Sequence, residues 1–193
     1  FSMLILYYIV LLLMLTIKNT KEVIRNAVLI SLSISIYFLI NYDFNKKLRI
    51  TFMDIGQGDC VVIQTPDDKV ILVDCGLIND NYNSGERTID PYFKRNGIDK
   101  IDILVLTHLH NDHIGGINFL LQNYKIGKVI ESGQLVETPL TFKMDSLIQI
   151  KNIPREIVRA GDLINELKDL RLYFLFPDNK FVNNSGKTLE NNL

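Results

Sequence analysis

The sequence is poor in several features that mark whole classes of protein. It has only two cysteines in 193 residues, Cys60 and Cys75, which allow at most one disulfide and exclude a disulfide-rich scaffold. Its 21 basic and 22 acidic side chains nearly cancel. A protein that coats nucleic acid, or an acidic disordered tail, would carry a strong excess of one sign. We predict that both cysteines are small buried thiols.

Long uncharged runs are present only near the start of the chain. Residues 1–17 carry no charge, and residues 26–42 carry none either. A helix rises about 1.5 Å per residue, so crossing a hydrocarbon layer of about 30 Å takes about 17 to 25 residues. Both runs reach the lower limit. We therefore predict two transmembrane helices within residues 1–42, followed by a linker at residues 43–47.

Each of these runs has an alternative interpretation. The first could be a signal peptide, but neither a basic n-region nor a small-residue cleavage site is visible. In the second, the alternation of Ser31, Ser33 and Ser35 is compatible with a strand that has one polar face.

The texture changes after residue 47. Residues 1–47 hold five basic and two acidic side chains, which leaves residues 48–193 with a net charge of −4. Short apolar runs predict an antiparallel meander at residues 48–54, 60–65 and 70–74. Later elements are a helix at 88–95 capped by Asp90, a buried strand at 101–107, a helix at 117–124, a strand at 128–131, a helix or strand at 143–150, strand around Gly161, and a strand at 171–177. Strands followed by alternating helices and strands indicate a layered α/β or α+β fold.

All three histidines of the chain, His108, His110 and His113, lie within six residues together with Asp112, directly after the predicted buried strand. Imidazole and carboxylate groups are ligands of zinc, manganese and iron. In an extended segment, His108 and His110 project to the same side and bind one ion. Asp112 and His113 then point toward a second position, because the glycine pair that follows leaves room for a turn. We predict two neighbouring divalent metals; the alternatives are a polar, histidine-rich surface loop and a single adventitious site.

The motif HxHxDH followed by GG, residues 108–116, resembles the signature of the metallo-β-lactamase fold of hydrolases. Three segments taken together indicate a particular family within this fold: TFMDIGQGDCVVIQTP (51–66), ILVDCG (71–76) and GIDKIDILVLTHLHNDHIGGI (97–117). They resemble the C-terminal hydrolase domain of the ComEC family of DNA-uptake channel proteins. The two uncharged runs resemble the last membrane helices of that family. The resemblance implies an αββα-type α/β fold preceded by transmembrane helices.

The resemblance also implies roles for individual residues. His108 and His110 would bind metal one, and Asp112 and His113 would bind metal two, with zinc or manganese as the two divalent ions. Asp112 would also be the catalytic residue that orients or deprotonates the attacking water. Asp74 would be a supporting carboxylate behind the ligands, with a turn-capping aspartate as the alternative.

The sequence departs from this family pattern because no histidine follows His113. The family completes its site with a later histidine for metal one, a bridging aspartate and a last histidine. We therefore expect residues 48–193 to be the N-terminal part of a truncated hydrolase domain, with an incomplete site that is inactive alone. The bridging aspartate and last histidine would lie beyond Leu193. Candidates for the ligand that completes metal one exist by residue type only: Asp145, Asp162, Asp169 and Asp178.

Two aspartates of the glycine-containing turn at residues 54–59 also allow two interpretations. We predict that Asp54 and Asp59 form the turn, with contact to the metal-binding loop as the alternative.

The function implied by the resemblance is a membrane-bound, metal-dependent phosphodiesterase or nuclease that degrades the non-imported DNA strand. It would belong to a multi-pass protein of the cell membrane, with the domain on the outer face and other DNA-uptake proteins as candidate partners. Because the domain is acidic, DNA would have to be delivered by the channel. The alternatives are a membrane-anchored hydrolase of a lactone, thioester or nucleotide, and a catalytically inactive channel domain.

Overall fold

The structure is a computed structural model that describes residues 20–41, 47–168 and 170–178. The chain divides into two compact units, with the boundary between Asn45 and Lys46. In the first unit, helix α1 spans Thr20–Asn41, and Ser33 Oγ donates a hydrogen bond to the carbonyl oxygen of Leu29 at 2.8 Å, as serines within helices do. Residues 26–41 of the second uncharged run are therefore helical, and the strand alternative is wrong.

The membrane predictions concern this first unit. Within the described ranges, no helix combines the length and the apolar character that crossing a membrane requires. The first uncharged run, residues 1–17, and most of the predicted linker lie outside the described residues.

The second unit contains ten strands and four α-helices among its described residues. The strands are β1 Arg49–Phe52, β2 Val61–Gln64, β3 Val70–Val73, β4 Ile78–Asn79, β5 Tyr82–Asn83, β6 Lys100–Leu106, β7 Lys125–Glu131, β8 Arg155–Ile157, β9 Leu163–Ile164 and β10 Leu172–Tyr173. The α-helices are α2 Asp90–Arg95, α3 Asn111–Ile114, α4 Ile117–Asn123 and α5 Pro139–Ile150, and a π-helical turn at Gly85–Ile89 precedes α2.

Six strands form one sheet in the order β1-β2-β3-β6-β7-β8. The first three pair antiparallel, which confirms the predicted meander. From β3 onward the pairs are parallel, because helices lie between the strands in the chain and return it to the same end of the sheet. The carboxyl ends of β3, β6, β7 and β8 therefore meet at one edge.

Both faces of the sheet are covered, which explains the continuous apolar run of β6. Consecutive residues of a strand point to opposite faces, and Leu104 packs in the cluster that contains Phe93 and Leu120 from the helices. Its neighbour Ile103 belongs to a second cluster on the other face, with Ile130 and Val158. The fold is thus of the mixed α/β class that the sequence predicts. Cys60 and Cys75 are free and buried in the first cluster, as predicted.

Three predictions about local structure need correction or completion. Asp90 does not cap its helix: its φ and ψ are helical, and its carboxylate accepts from the Tyr124 hydroxyl at 2.7 Å and pairs with Lys94. Residues 143–150 are helical and belong to α5, whose capping box is formed by Thr138 and Thr141. Of the strand predicted at 171–177, only β10 forms, because its partner β9 is two residues long.

Candidate metal centre

The site is built where two parallel strands end side by side. Asp74 directly follows β3, and Thr107 directly follows β6. Val73 is paired in register with Val105, and the Asp74 amide donates to the Val105 carbonyl oxygen at 2.9 Å. This pairing brings Asp74 next to the start of the histidine motif, although 33 residues separate it from Thr107.

The histidine motif itself is not extended throughout. His110 has extended dihedral angles, φ −88° and ψ 155°, and the short helix α3 begins at the next residue. Asp112 and His113 therefore lie on a helical turn that folds back toward His108. One ligand atom from each of His108, Asp112 and His113 lies within 4.8 Å of the others. His108 was predicted as a ligand of the first metal, whereas Asp112 and His113 were predicted as ligands of the second.

The fourth predicted ligand, His110, lies close to this group. Its ring centroid is 4.8 Å from that of His108, and the centroid of the His113 ring is 3.8 Å from that of His108. The structure thus gathers the three histidine rings and Asp112 in one place. Their assignment to two separate ions stays a prediction.

Asp74 forms hydrogen bonds with His113 and with Thr107, the residue before His108. Its carboxylate is buried and accepts three hydrogen bonds: from the Thr107 amide at 2.9 Å, from Thr107 Oγ1 at 2.6 Å and from His113 Nδ1 at 2.9 Å. An ionised carboxylate only accepts, so the shared proton is on Nδ1 of His113. His113 Nε2, the nitrogen on the other side of the ring, lies 3.7 Å from Asp112 Oδ2. Asp74 lies at φ 57°, a left-handed conformation that aspartate tolerates better than most residues.

The same network extends to His108 through Thr107. The hydroxyl of Thr107 uses its proton on Asp74, so it accepts from His108 Nδ1 at 3.1 Å. His108 therefore also presents Nε2. Burial lowers the pKa of His108 below its ordinary value, and repulsion from His113 and His110 lowers it further. The neutral ring that a metal requires is thus favoured.

These residues fit a divalent metal by their chemistry. Two imidazoles with free Nε2 atoms and a carboxylate are ligands that zinc and similar ions accept. A hydrogen bond from the other ring nitrogen to a carboxylate, as His113 makes to Asp74, is the usual way in which proteins orient a metal-binding histidine. Asp74 makes this contact in addition to its hydrogen bonds with Thr107, and its supporting role stays a prediction.

The turn at residues 54–59 packs on the metal-binding segment. Gly58 lies at φ 101°, and a Cβ atom there would collide with the carbonyl group of Asp112. The Asp59 amide donates to that carbonyl oxygen at 3.3 Å, and Asp59 Oδ2 is 3.9 Å from His113 Nδ1. Asp59 thus contacts the metal-binding segment, as the alternative interpretation proposes. Asp54 only accepts a turn hydrogen bond from Gly56 at 3.4 Å.

The glycine pair after His113 permits a second close approach. The Cys75 amide donates to the His113 carbonyl oxygen at 2.6 Å, and the Gly115 amide donates to that of Gly76 at 2.7 Å. Cβ atoms at Gly115 and Gly116 would collide with backbone atoms of residues 75–78. Gly115 and Gly116 therefore allow the backbone after α3 to pack closely on the segment that follows Asp74.

Sequence reasoning missed two residues of this site, Thr107 and Gln134. Gln134 is buried, and its Oε1 accepts from the amide of Leu109, the residue between the first two histidines, at 2.9 Å. Only the parallel pairing of β6 with β7 brings Gln134 there. Thr107 adjoins His108 in the chain, but its role depends on Asp74.

Two of the aspartates predicted as an additional ligand, Asp145 and Asp162, make hydrogen bonds elsewhere. Asp145 accepts a hydrogen bond from Arg155 at 2.6 Å, and Asp162 accepts one from the Arg159 amide at 2.7 Å. Asp169 lies outside the described residues, and Asp178 is the last residue described.

Comparison with known proteins gives a consistent result. Residues 53–185 match the family model described as the metallo-beta-lactamase superfamily. ComE operon protein 3 of Bacillus subtilis is 28% identical over 142 residues, which cover 67% of this chain and 18% of that protein. Ribonuclease J of Synechocystis is 32% identical over 117 residues, which cover 56% of this chain and 18% of that protein. The chain thus spans less than a fifth of the length of these curated relatives.

The crystal structure of ST1585, an archaeal metallo-beta-lactamase superfamily protein from Sulfolobus tokodaii, shares 22% sequence identity with this chain. The match covers 66% of this chain and 54% of that one, with a TM-score of 0.40.

Proposed function

The chain belongs to the metallo-beta-lactamase superfamily of metal-dependent hydrolases, and on that premise we propose that its site hydrolyses phosphodiester bonds in DNA. The observation that carries the proposal is the group formed by His108, Asp112 and His113, whose ligand atoms lie within 4.8 Å of one another, with Asp74 hydrogen-bonded to Nδ1 of His113. Similarity to a protein named ribonuclease J supports a phosphodiester substrate.

The chain's own residues have distinct tasks in this reaction. A divalent ion, when bound, acidifies water and stabilises negative charge on the oxygen atoms of the reacting phosphate. His108 and His113 hold the ion, and Asp74 and Thr107 fix the tautomers in which they do so. The side chain of Asp112 is 47% exposed, so its carboxylate is open to the attacking water and accepts its proton.

We propose that the complete site of the whole protein binds two divalent ions, zinc or manganese. Support comes from the presence of four candidate ligands, His108, His110, Asp112 and His113, in one place. The group of three ligand atoms within 4.8 Å is enough for one ion. A second ion would need His110 and further ligands.

We also propose that the whole protein takes part in DNA uptake at the cell membrane, with this domain on the outer face, where it degrades the strand that is not imported. Support comes from the similarity to ComE operon protein 3 and from the resemblance of residues 51–117 to the ComEC family. The uncharged run at residues 1–17 supports membrane attachment. The net charge of −4 favours delivery of DNA by a channel over direct capture.

The experiment that tests this function uses the complete protein in detergent or lipid, with manganese or zinc, on single-stranded and double-stranded DNA. We expect cleavage that is abolished by His113→Ala and by chelation. Absence of cleavage with either metal would contradict the proposal. Hydrolysis of a lactone or thioester instead would favour the small-substrate alternative.

A further inference from the structure

The first two histidines of the metal-binding motif are separated by one buried residue, Leu109. Its side chain is 5% exposed and packs in the core cluster that contains Phe93. Successive side chains of an extended segment point to opposite sides. With Leu109 directed into the core, His108 and His110 project away from it on a common side, where their ring centroids are 4.8 Å apart.

The backbone of Leu109 is held by a side chain from another part of the chain. Its amide donates to Oε1 of Gln134 at 2.9 Å, and Gln134 is 4% exposed. A buried N–H group that loses its acceptor is unfavourable, because water cannot replace the missing partner. The conformation of the backbone between the two histidines therefore depends on the position of Gln134.

The segment that carries Gln134 is fixed by the next strand of the sheet. Gln134 lies three residues after the end of β7, and β8 pairs with β7 in parallel. Arg155 of β8 donates to both carboxylate oxygens of Glu131, at 2.6 and 2.8 Å. Just beyond β8, Arg159 Nη1 donates to the carbonyl oxygen of Ser132 at 2.6 Å. These contacts set the position of Gln134 independently of the histidine motif.

We propose that Gln134 is a positioning residue of the metal centre, which fixes the backbone from which His108 and His110 project. Asp74 contacts an imidazole ring, whereas Gln134 contacts the main chain between two rings. Ligands that are already held in place lose less conformational freedom when an ion binds, so the affinity is higher. The inference rests on the proposed function, since the ligands in question are those of the proposed hydrolase.

The first test examines the hydrogen bond in the metal-free protein. The complete protein is kept in a chelator, and hydrogen exchange of the Leu109 amide is measured by mass spectrometry at single-residue resolution. Gln134→Leu keeps a side chain of similar size but has no acceptor. We expect the Leu109 amide to exchange at least tenfold faster in this variant. An unchanged rate would overturn the proposal.

The control removes a buried hydrogen-bonding side chain far from the motif. Thr65 is 4% exposed, and its Oγ1 accepts from the Lys69 amide at 3.0 Å in the turn that precedes β3. This turn lies at the end of β3 opposite to Asp74. Thr65→Val should lower thermal stability and leave the Leu109 exchange rate at the wild-type value. Equal acceleration in both variants would assign the effect to general destabilisation and overturn the proposal.

The second test measures what the contact does for the ligands. Zinc affinity is measured by competition with a chelator, and the geometry of the ligands is followed by the absorption spectrum of bound cobalt(II). We expect Gln134→Leu to lower the affinity about tenfold and to change the cobalt spectrum, and Thr65→Val to change neither. Wild-type affinity and spectrum in Gln134→Leu would reduce Gln134 to a structural role and overturn the proposal.

A double-mutant cycle tests whether Gln134 acts through the histidines. If its loss displaces His110, then His110→Ala should cost less zinc affinity in the Gln134→Leu background than in the wild type. Strictly additive losses would overturn the proposal.

The same measurements separate this inference from the proposed function. Metal binding that does not depend on Gln134, together with DNA cleavage by the complete protein, would overturn the positioning role alone. Metal binding that does depend on Gln134, without cleavage of DNA with manganese or zinc, would overturn the proposed function and leave the positioning role standing.

Discussion

Nδ1 of His113 lies 2.9 Å from Oδ2 of Asp74, a carboxylate that is almost entirely buried. The same oxygen accepts the Thr107 hydroxyl proton at 2.6 Å. One carboxylate oxygen thus controls the tautomer of His113 directly and that of His108 through a single hydroxyl. The orientation of both candidate ligands therefore depends on a residue that follows a different strand, β3.

Replacement of Asp74 by asparagine should weaken metal binding. Three donors point at the carboxylate, and an amide would present a donor to one of them. Loss of such a supporting contact typically lowers metal affinity by about 10- to 100-fold. Asparagine tolerates the left-handed backbone at φ 57°, so the fold should be kept. Competition titration against a chelator measures the affinity.

The control for this substitution is Asp54→Asn, at an exposed aspartate whose carboxylate accepts a turn hydrogen bond from the Gly56 amide. It should bind metal like the wild type. An Asp74→Asn variant with wild-type affinity would show that the network does not support the ligands.

Substitutions of Thr107 separate its hydroxyl from its methyl group. Thr107→Ser keeps the hydroxyl that links Asp74 to His108, whereas Thr107→Val removes it and keeps the shape. We expect the valine variant to lose about tenfold in metal affinity and the serine variant to stay near the wild type. A loss in the serine variant with the valine variant near the wild type would assign the effect to packing of the methyl group and contradict the role of the hydroxyl.

Gly58 and Gly56 form a matched pair for the close approach at Asp112. Both have positive φ, 101° and 76°, but only a Cβ at Gly58 would meet another group, the Asp112 carbonyl. Gly56→Ala should cost roughly 1 to 2 kcal/mol of unfolding free energy from backbone strain alone. Gly58→Ala should cost more and should also weaken metal binding. Thermal unfolding and metal titration check this, and equal costs would contradict it.

The candidate metal ligands could be proposed from the sequence because they are local. His108, His110, Asp112 and His113 follow a strong apolar strand, and the strand is where it was predicted. Their arrangement relative to one another was harder to predict from the sequence. The prediction had the segment with His108 and His110 extended and a turn at the glycine pair, whereas α3 begins already at Asn111 and brings Asp112 and His113 close to His108.

Long-range pairing explains the other differences. The register of β3 beside β6 brings Asp74 within hydrogen-bond distance of His113. The neighbouring strand β7 leads to Gln134, which accepts a hydrogen bond from the Leu109 amide. Neither contact leaves a recognisable pattern in the nearby sequence. The length of a strand likewise depends on the strand with which it pairs. RLYFLFP has strand composition, yet only Leu172–Tyr173 finds a partner.

The thiol of Cys60 should be unreactive in the folded protein. Burial raises its pKa to about 12, and the charges of Asp74 and Asp59 add to the effect. A raised pKa keeps the thiol protonated, so at pH 8 only about one molecule in ten thousand carries the thiolate. Burial also raises the pKa of Cys75. Ellman's reagent should modify two thiols in denaturant and almost none in the native state; rapid native modification would contradict this.

The central claim is that His108, Asp112 and His113 form a metal site held by Asp74. Its most direct test is the metal content of the complete protein, measured by plasma mass spectrometry after dialysis, for the wild type and for His108→Ala and His113→Ala. We predict at least one zinc or manganese ion per wild-type chain and a loss of metal in both variants. A wild-type protein without metal, or variants that retain the full wild-type content, would contradict the account.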